Sequence, residues 1–265
     1  MYKLNMLIAK NKAIAWLLIS AFEIIVFGIL LSSPEFSSGF IAVLSALFML
    51  YNLAFVHSAQ GQLMKKPLKA LSDGCDPEPL LKVTEELLQG KQNEANRQVL
   101  LINKAAALRE MGKLTKAFEI LSAVNIDKIP GTLPITKFVY YNNLSDLCYL
   151  LDKPEEGKIW YTKLMQIYND IPEGKTKLSA SSSATLATAD DCYRKGELDK
   201  ALSLLNTLGA MTAAERVSTS LLRGMICLRG ENRELAKTYL NDVINNCNKL
   251  YAFTLANNLL ANIEE

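Results

Sequence analysis

The chain has 265 residues, half of them hydrophobic, and a formal net charge of +2. So even a balance gives no basic stripe for nucleic acid. One His and five irregularly spaced Cys without a CxxC pair argue against a zinc site and a disulfide framework.

The predicted elements start with a charged tail, residues 1–12, carrying Lys3, Lys10 and Lys12. Two apolar runs follow, 13–31 and 40–56. A membrane-crossing helix needs roughly 20 apolar residues, and each run nearly supplies them. Residues 32–39, SSPEFSSG, form a short polar connection holding Pro34 and Gly39. This order predicts an antiparallel transmembrane hairpin with an external loop at 32–39. Trp16 and Tyr51 fall on the same side as interfacial anchors. The connection has no Lys or Arg, whereas Lys65, Lys66 and Lys69 follow the second run. The positive-inside rule therefore predicts an integral plasma or inner membrane protein with both termini cytoplasmic. The flanking lysines also suit anionic headgroups. A cleaved signal peptide fits poorly, because the first run is too long and no A-x-A site follows it.

Glu23 lies within the first run. An intramembrane carboxylate is costly and marks a site by default. With the turn near Glu35, residue 23 falls level with Phe48, and Ser45, Tyr51 and Asn52 lie within a turn. Bonding to one of these would make Glu23 structural. Facing a partner membrane protein would make it functional. Both readings stay open.

Residues 57–78, with Gly61 and Pro67, read as a juxtamembrane linker. Asp76–Pro77 then reads as a helix start. From 79 to 265 the pattern is helical, without strand alternation, so the predicted fold class is all-α. Self-similarity is the stronger signal. Four small residues open the second helices of four helix pairs: Ala117, Gly157, Ala201 and Ala236. Twelve residues earlier stand Ala105, Ser145, Ala189 and Gly224. Nine earlier stand Leu108, Cys148, Cys192 and Cys227. Four later stand Leu121, Tyr161, Leu205 and Leu240, and seven later Val124, Leu164, Leu208 and Val243. Two antiparallel helices approach closely only where both present small side chains, and larger ones fill the groove around that crossing. The turns are predicted at Gly112, Asp152, Gly196 and Gly230, residue types that accept a left-handed helix end. Three of the five cysteines share one core position, as small buried hydrophobes.

The segments MGKLTKAFEIL, KGELDKALSLL and RGENRELAKTYL resemble the turn and second helix of tetratricopeptide repeats. The resemblance covers about residues 93–250 and weakens in the second unit, where Asp152 and Gly157 replace Gly and Ala. The fourth unit carries one extra residue between Gly230 and Ala236. Unit spacings of 40, 44 and 35 residues exceed the family's 34, with the surplus in two Pro/Gly loops. The resemblance implies an α-solenoid of about four repeats, capped by helices near 79–89 and 250–264, whose first helices line a groove for a peptide or protein segment.

Carried onto this chain, the groove positions are Asn142, Asp146 and Tyr149 in the second unit and Asp190, Tyr193 and Arg194 in the third. Ile102, Ala106, Arg109 and Glu110 are their counterparts in the first. Such an acidic and aromatic lining would prefer a basic or amphipathic segment. No phosphate-binding Gly loop, catalytic triad or metal-ligand spacing appears, so no cofactor and no enzymatic activity are expected. The expected function is a membrane-anchored scaffold or adaptor. The alternative is an accessory or regulatory subunit of a membrane transport or secretion complex, contacted through Glu23.

Overall fold

A computed structural model describes residues 2–32, 38–128 and 133–264. Among them the chain is all-α: α1 (Tyr2–Lys10), α2 (Lys12–Leu31), α3 (Ser38–Gly74), α4 (Glu78–Leu88), α5 (Glu94–Glu110), α6 (Leu114–Ser122), a 3-10 turn (Ile126–Lys128), α7 (Pro134–Leu150), α8 (Pro154–Asp170), α9 (Lys175–Lys195), α10 (Leu198–Asn206), α11 (Ala213–Arg229), α12 (Arg233–Asn246) and α13 (Tyr251–Glu264).

Ile14–Leu31 in α2 is long and apolar enough to cross a membrane, with a mean hydropathy of 2.5. Only 6% of that stretch is buried, unlike the core helix of a soluble domain. Leu17, Leu18, Ile24 and Ile25 all stand exposed. The second predicted span opens α3, and its apolar stretch among the described residues is Phe40–Asn52. The two segments lie alongside each other. Asn52 donates to Glu23, and Phe27 meets Phe48 edge-on at 6.2 Å. Asn52, one of the three expected candidates, thus meets Glu23, and the pairs 23–52 and 27–48 put the register one helical turn from Phe48 opposite Glu23. Most of the predicted 32–39 loop lies outside the described residues.

Residues 57–74, expected as linker, continue helix α3 through Gly61 and Pro67. Pro removes one helical hydrogen bond, but packing outweighs that loss. Leu63, Met64 and Leu71 join one apolar cluster with Leu80, Val83, Leu87 and Leu100. The N-terminal tail is also helical and tied down. Gln92 Nε2 donates to the Ala9 carbonyl at 3.0 Å, and Lys91 N–H donates to that of Lys10 at 3.0 Å. The Glu78 N–H donates to Asp76 at 3.2 Å, but the N-cap of α4 is Pro77 rather than Asp76.

Four helix pairs follow, α5–α6, α7–α8, α9–α10 and α11–α12, each packed within itself. The predicted small residues meet at their crossings: Ala105, Ala117, Ala189, Ala201 and Ala236 are fully buried. In the second pair the Ser145 hydroxyl donates to the Gly157 carbonyl at 3.1 Å. One turn geometry recurs four times. Lys113, Lys153, Glu197 and Asn232 donate their N–H to the carbonyls of Leu108, Cys148, Cys192 and Cys227 at 2.8–2.9 Å. The residue filling the groove thus also closes its own helix, in the manner of a Schellman end.

The left-handed residue in each turn is Gly112, Asp152, Gly196 and Glu231. The fourth differs from the predicted Gly230. Glu231 stands five residues before Ala236, as Gly112 does before Ala117, so the fourth unit has no extra residue. Gly230 is the C-cap of α11 at φ −87°, because the closing bond comes from Asn232, one residue later than Gly230 would require.

The last helices also pack back on earlier ones. α11 packs on α3, and α13 touches α5. Cys75 joins the apolar cluster of α11–α13, and Lys249 pairs with Asp76 at 2.5 Å.

Candidate functional site

The first helices α5, α7, α9 and α11 pack as neighbours in chain order. Two of them, α7 and α9, carry the six predicted site residues, and the structure sorts these into two groups.

The first group is an arginine–carboxylate network. Arg109, at the end of α5, donates from Nη1 to Asp146 Oδ2 at 2.6 Å and also pairs with Glu110. Asn142, one turn before Asp146 on α7, reaches the same oxygen at 3.4 Å. On α9, Arg194 Nε pairs with Asp190 at 2.7 Å. Three carboxylates therefore share two guanidiniums. Burial pushes the Asp146 carboxyl up to about 6; Arg109 opposes this, and Asp190 and Glu110 add to it. Burial likewise raises Asp190, against the pull of Arg194. Burial works against the Arg109 charge, but Glu110 and Asp146 outweigh it and raise its pKa. Asp146 still keeps 36% of its side chain accessible, so a ligand can reach it.

The second group is a ladder of arginines on tyrosines. Arg194 lies over the Tyr149 ring at 3.8 Å, and Arg229 over Tyr193 at 5.5 Å. Arg229 Nη1 also donates to the Tyr193 carbonyl at 2.6 Å. The register explains the repetition. Each tyrosine stands eight residues before its pair's small residue, and each arginine stands seven before the next pair's. Every arginine therefore reaches back onto the preceding pair. These side chains line a cleft of about 400 Å3 with Lys158, Lys195, Glu155 and Asp191. Four cations face two carboxylates there. Burial, then Asp191, pushes the Tyr149 phenol up to about 12, so it stays neutral.

The adjacent carboxylates Asp190 and Asp191 diverge, as neighbours on a helix must. Asp190 pairs with Arg194 and Asp191 with Lys195. Of the first-unit counterparts, Ile102 is a correction. It is buried in the core with Ala105 and Leu108, because its face of α5 packs inward; Ala106 is half-buried. Arg229 escaped sequence reasoning, although its position repeats that of Arg194.

No family model, no curated protein and no solved structure matches the chain. The site's chemistry therefore rests on its own residues. Among the described residues no three His, Cys, Asp or Glu side chains converge as a metal ion would require. Neither group presents an activated nucleophile. Glu23, the remaining predicted site residue, lies apart, 6% exposed, and accepts the Asn52 amide at 3.2 Å.

Proposed function

We propose that the chain is a membrane-anchored, non-catalytic adaptor. α2 and the apolar start of α3 form the transmembrane hairpin, and the four helix pairs form a TPR-like array at the cytoplasmic face. The row of first helices is its docking groove, and the ligand is a basic or amphipathic protein segment. One observation carries this reading: among the described residues Glu110, Asp146 and Asp190 share two guanidiniums, Arg109 and Arg194, and Asp146 stays accessible. A cation brought to that network relieves the repulsion among its carboxylates. The exposed apolar surface of α2 supports the anchor, and the unbroken α3 holds the groove at a set angle to it. The alternative, a transport or secretion subunit contacted through Glu23, has less support, since that carboxyl is already bonded to Asn52.

The test is photo-cross-linking from position 142 in native membranes, using the full chain. The Asp146→Asn/Asp190→Asn double variant keeps the shape and removes two charges. The adaptor reading expects it to lose the cross-linked partner while Glu23→Leu keeps it. Retention by the double variant, or loss only with Glu23→Leu, would overturn it.

A further inference from the structure

The connection from α6 to α7 is longer than a regular repeat needs, and α7 pins its described part in place. The Tyr140 hydroxyl donates to the Val124 carbonyl at 2.9 Å and the Leu121 carbonyl at 3.3 Å. The Tyr141 hydroxyl donates to Asp127 at 2.6 Å, and Lys137 pairs with the same carboxylate at 3.0 Å. Loops held this way by a scaffold are where binding function concentrates. Between this connection and α8 lies a cavity of about 280 Å3, close to the small end of ligand pockets.

Its walls are aromatic. Trp160 stacks on Tyr141 with centroids 5.8 Å apart and planes inclined by 19°, and Phe118 lines the cavity with them. The charges around it do not cancel. Asp127 is matched by Lys137, and Glu156 by Lys153 at 3.5 Å. Lys163 lies over the Trp160 ring at 4.7 Å and the Tyr141 ring at 5.7 Å. Among the described residues it meets no carboxylate within ion-pair distance. The lining thus offers flat apolar walls and three charges, Asp127, Glu156 and Lys163. The two carboxylates are paired by lysines outside the lining, which leaves Lys163 as its one charge without an ion pair among the described residues. Ser122 and Asn125 add polar groups to the lining.

We propose that this cavity binds an aromatic carboxylate, its ring against Trp160 and Phe118 and its carboxylate on Lys163. The shared chemistry is found both in a free small aromatic acid and in the C-terminal aromatic residue of a peptide. The rings alone would attract simple cations, so a cation is the competing ligand in the test. The site lies on other elements than the arginine–carboxylate network and does not depend on it.

The chain holds two tryptophans, Trp16 and Trp160. In a Trp16→Phe background in nanodiscs, fluorescence reports Trp160 alone. The probes are 4-hydroxyphenylacetate, p-cresol, tetramethylammonium, a pentapeptide ending in Phe with a free carboxylate, and its amide. Saturable quenching by hydroxyphenylacetate is expected, with affinity about tenfold weaker in Lys163→Met, the size of one charge-assisted hydrogen bond. Binding of both the acid and the free peptide leaves the terminus of a partner protein as a source. Binding of the small acid alone assigns the site to a metabolite. Equal quenching by p-cresol, stronger quenching by tetramethylammonium, or an unchanged affinity in Lys163→Met would overturn the proposal. Lys163 is exposed on α8, so its replacement leaves the fold intact.

Discussion

At the residue scale, the turns set the most local demands. Gly112 has φ +74°, and a β-carbon there would come within 2.6 Å of the Tyr251 ring. Gly112→Ala meets both backbone strain and a clash, and should cost about 2 kcal/mol, read by denaturant unfolding in micelles. Glu231 holds φ 62° without being glycine. Glu231→Gly removes a strain of about 1–2 kcal/mol and loosens the unfolded chain by somewhat less, so a net gain of about 0.5 kcal/mol is expected. A loss of stability in Glu231→Gly would show that its side chain contributes more than its backbone costs. This position was readable in principle: a count of five back from Ala236 finds it. The neighbouring Gly230 hides it in the sequence, because glycine is the usual left-handed residue.

At the element scale, polar contacts tie neighbouring helices together. Asn52→Leu leaves the Glu23 carboxyl without its partner in an apolar setting, whereas Glu23→Leu/Asn52→Leu leaves no polar group to satisfy. Oxidative cross-linking of a Phe27→Cys/Phe48→Cys pair measures the contact. It should slow in Asn52→Leu and recover in the double variant, for a bond worth about 1 kcal/mol. Unchanged cross-linking in Asn52→Leu would mean that apolar packing alone joins α2 to α3. The arginine ladder works between pairs. A double-mutant cycle of Arg194→Met with Tyr149→Leu should give a coupling of about 0.5–1 kcal/mol. The same Arg194 change cycled with Tyr239→Leu, which contacts Arg223 instead, should give none. Both halves of the ladder stand in the sequence at fixed offsets, but nothing local says that offset seven of one pair meets offset eight of the one before.

At the scale of the whole molecule, charges gathered from separate helices set a pH dependence. The Asp146 carboxyl is pushed up from 3.8 to about 6, first by burial. A carboxyl raised in the folded state stabilises it when protonated. That contribution is fully present below about pH 4 and disappears as pH rises through about 6. Discounted for the exposure of the side chain, it amounts to about 1 kcal/mol. Wild type should lose this much stability relative to Asp146→Asn between pH 4 and pH 7, in paired unfolding curves. Parallel curves would remove Asp146 from the account. Binding of a basic segment should run the other way and tighten from pH 5 to pH 7, as Asp146 ionises.

The sequence by itself determined the helical class, the apolar stretch of α2 and the four-fold register of small residues. Each depends on neighbours within about a dozen positions: a run of apolar side chains, or two small residues that let consecutive helices touch. Only the tertiary structure decided that α3 passes through Pro67, because its support comes from Leu80, Val83, Leu87 and Leu100 on other elements. It alone turned Ile102 into the core and split the six site residues into an acid-rich network and a tyrosine–arginine cleft. Arg109 finds Asp146 and Arg229 finds Tyr193 across 37 and 36 residues. The sign of a charge is written in the chain, but its partner is chosen by how the helices stack.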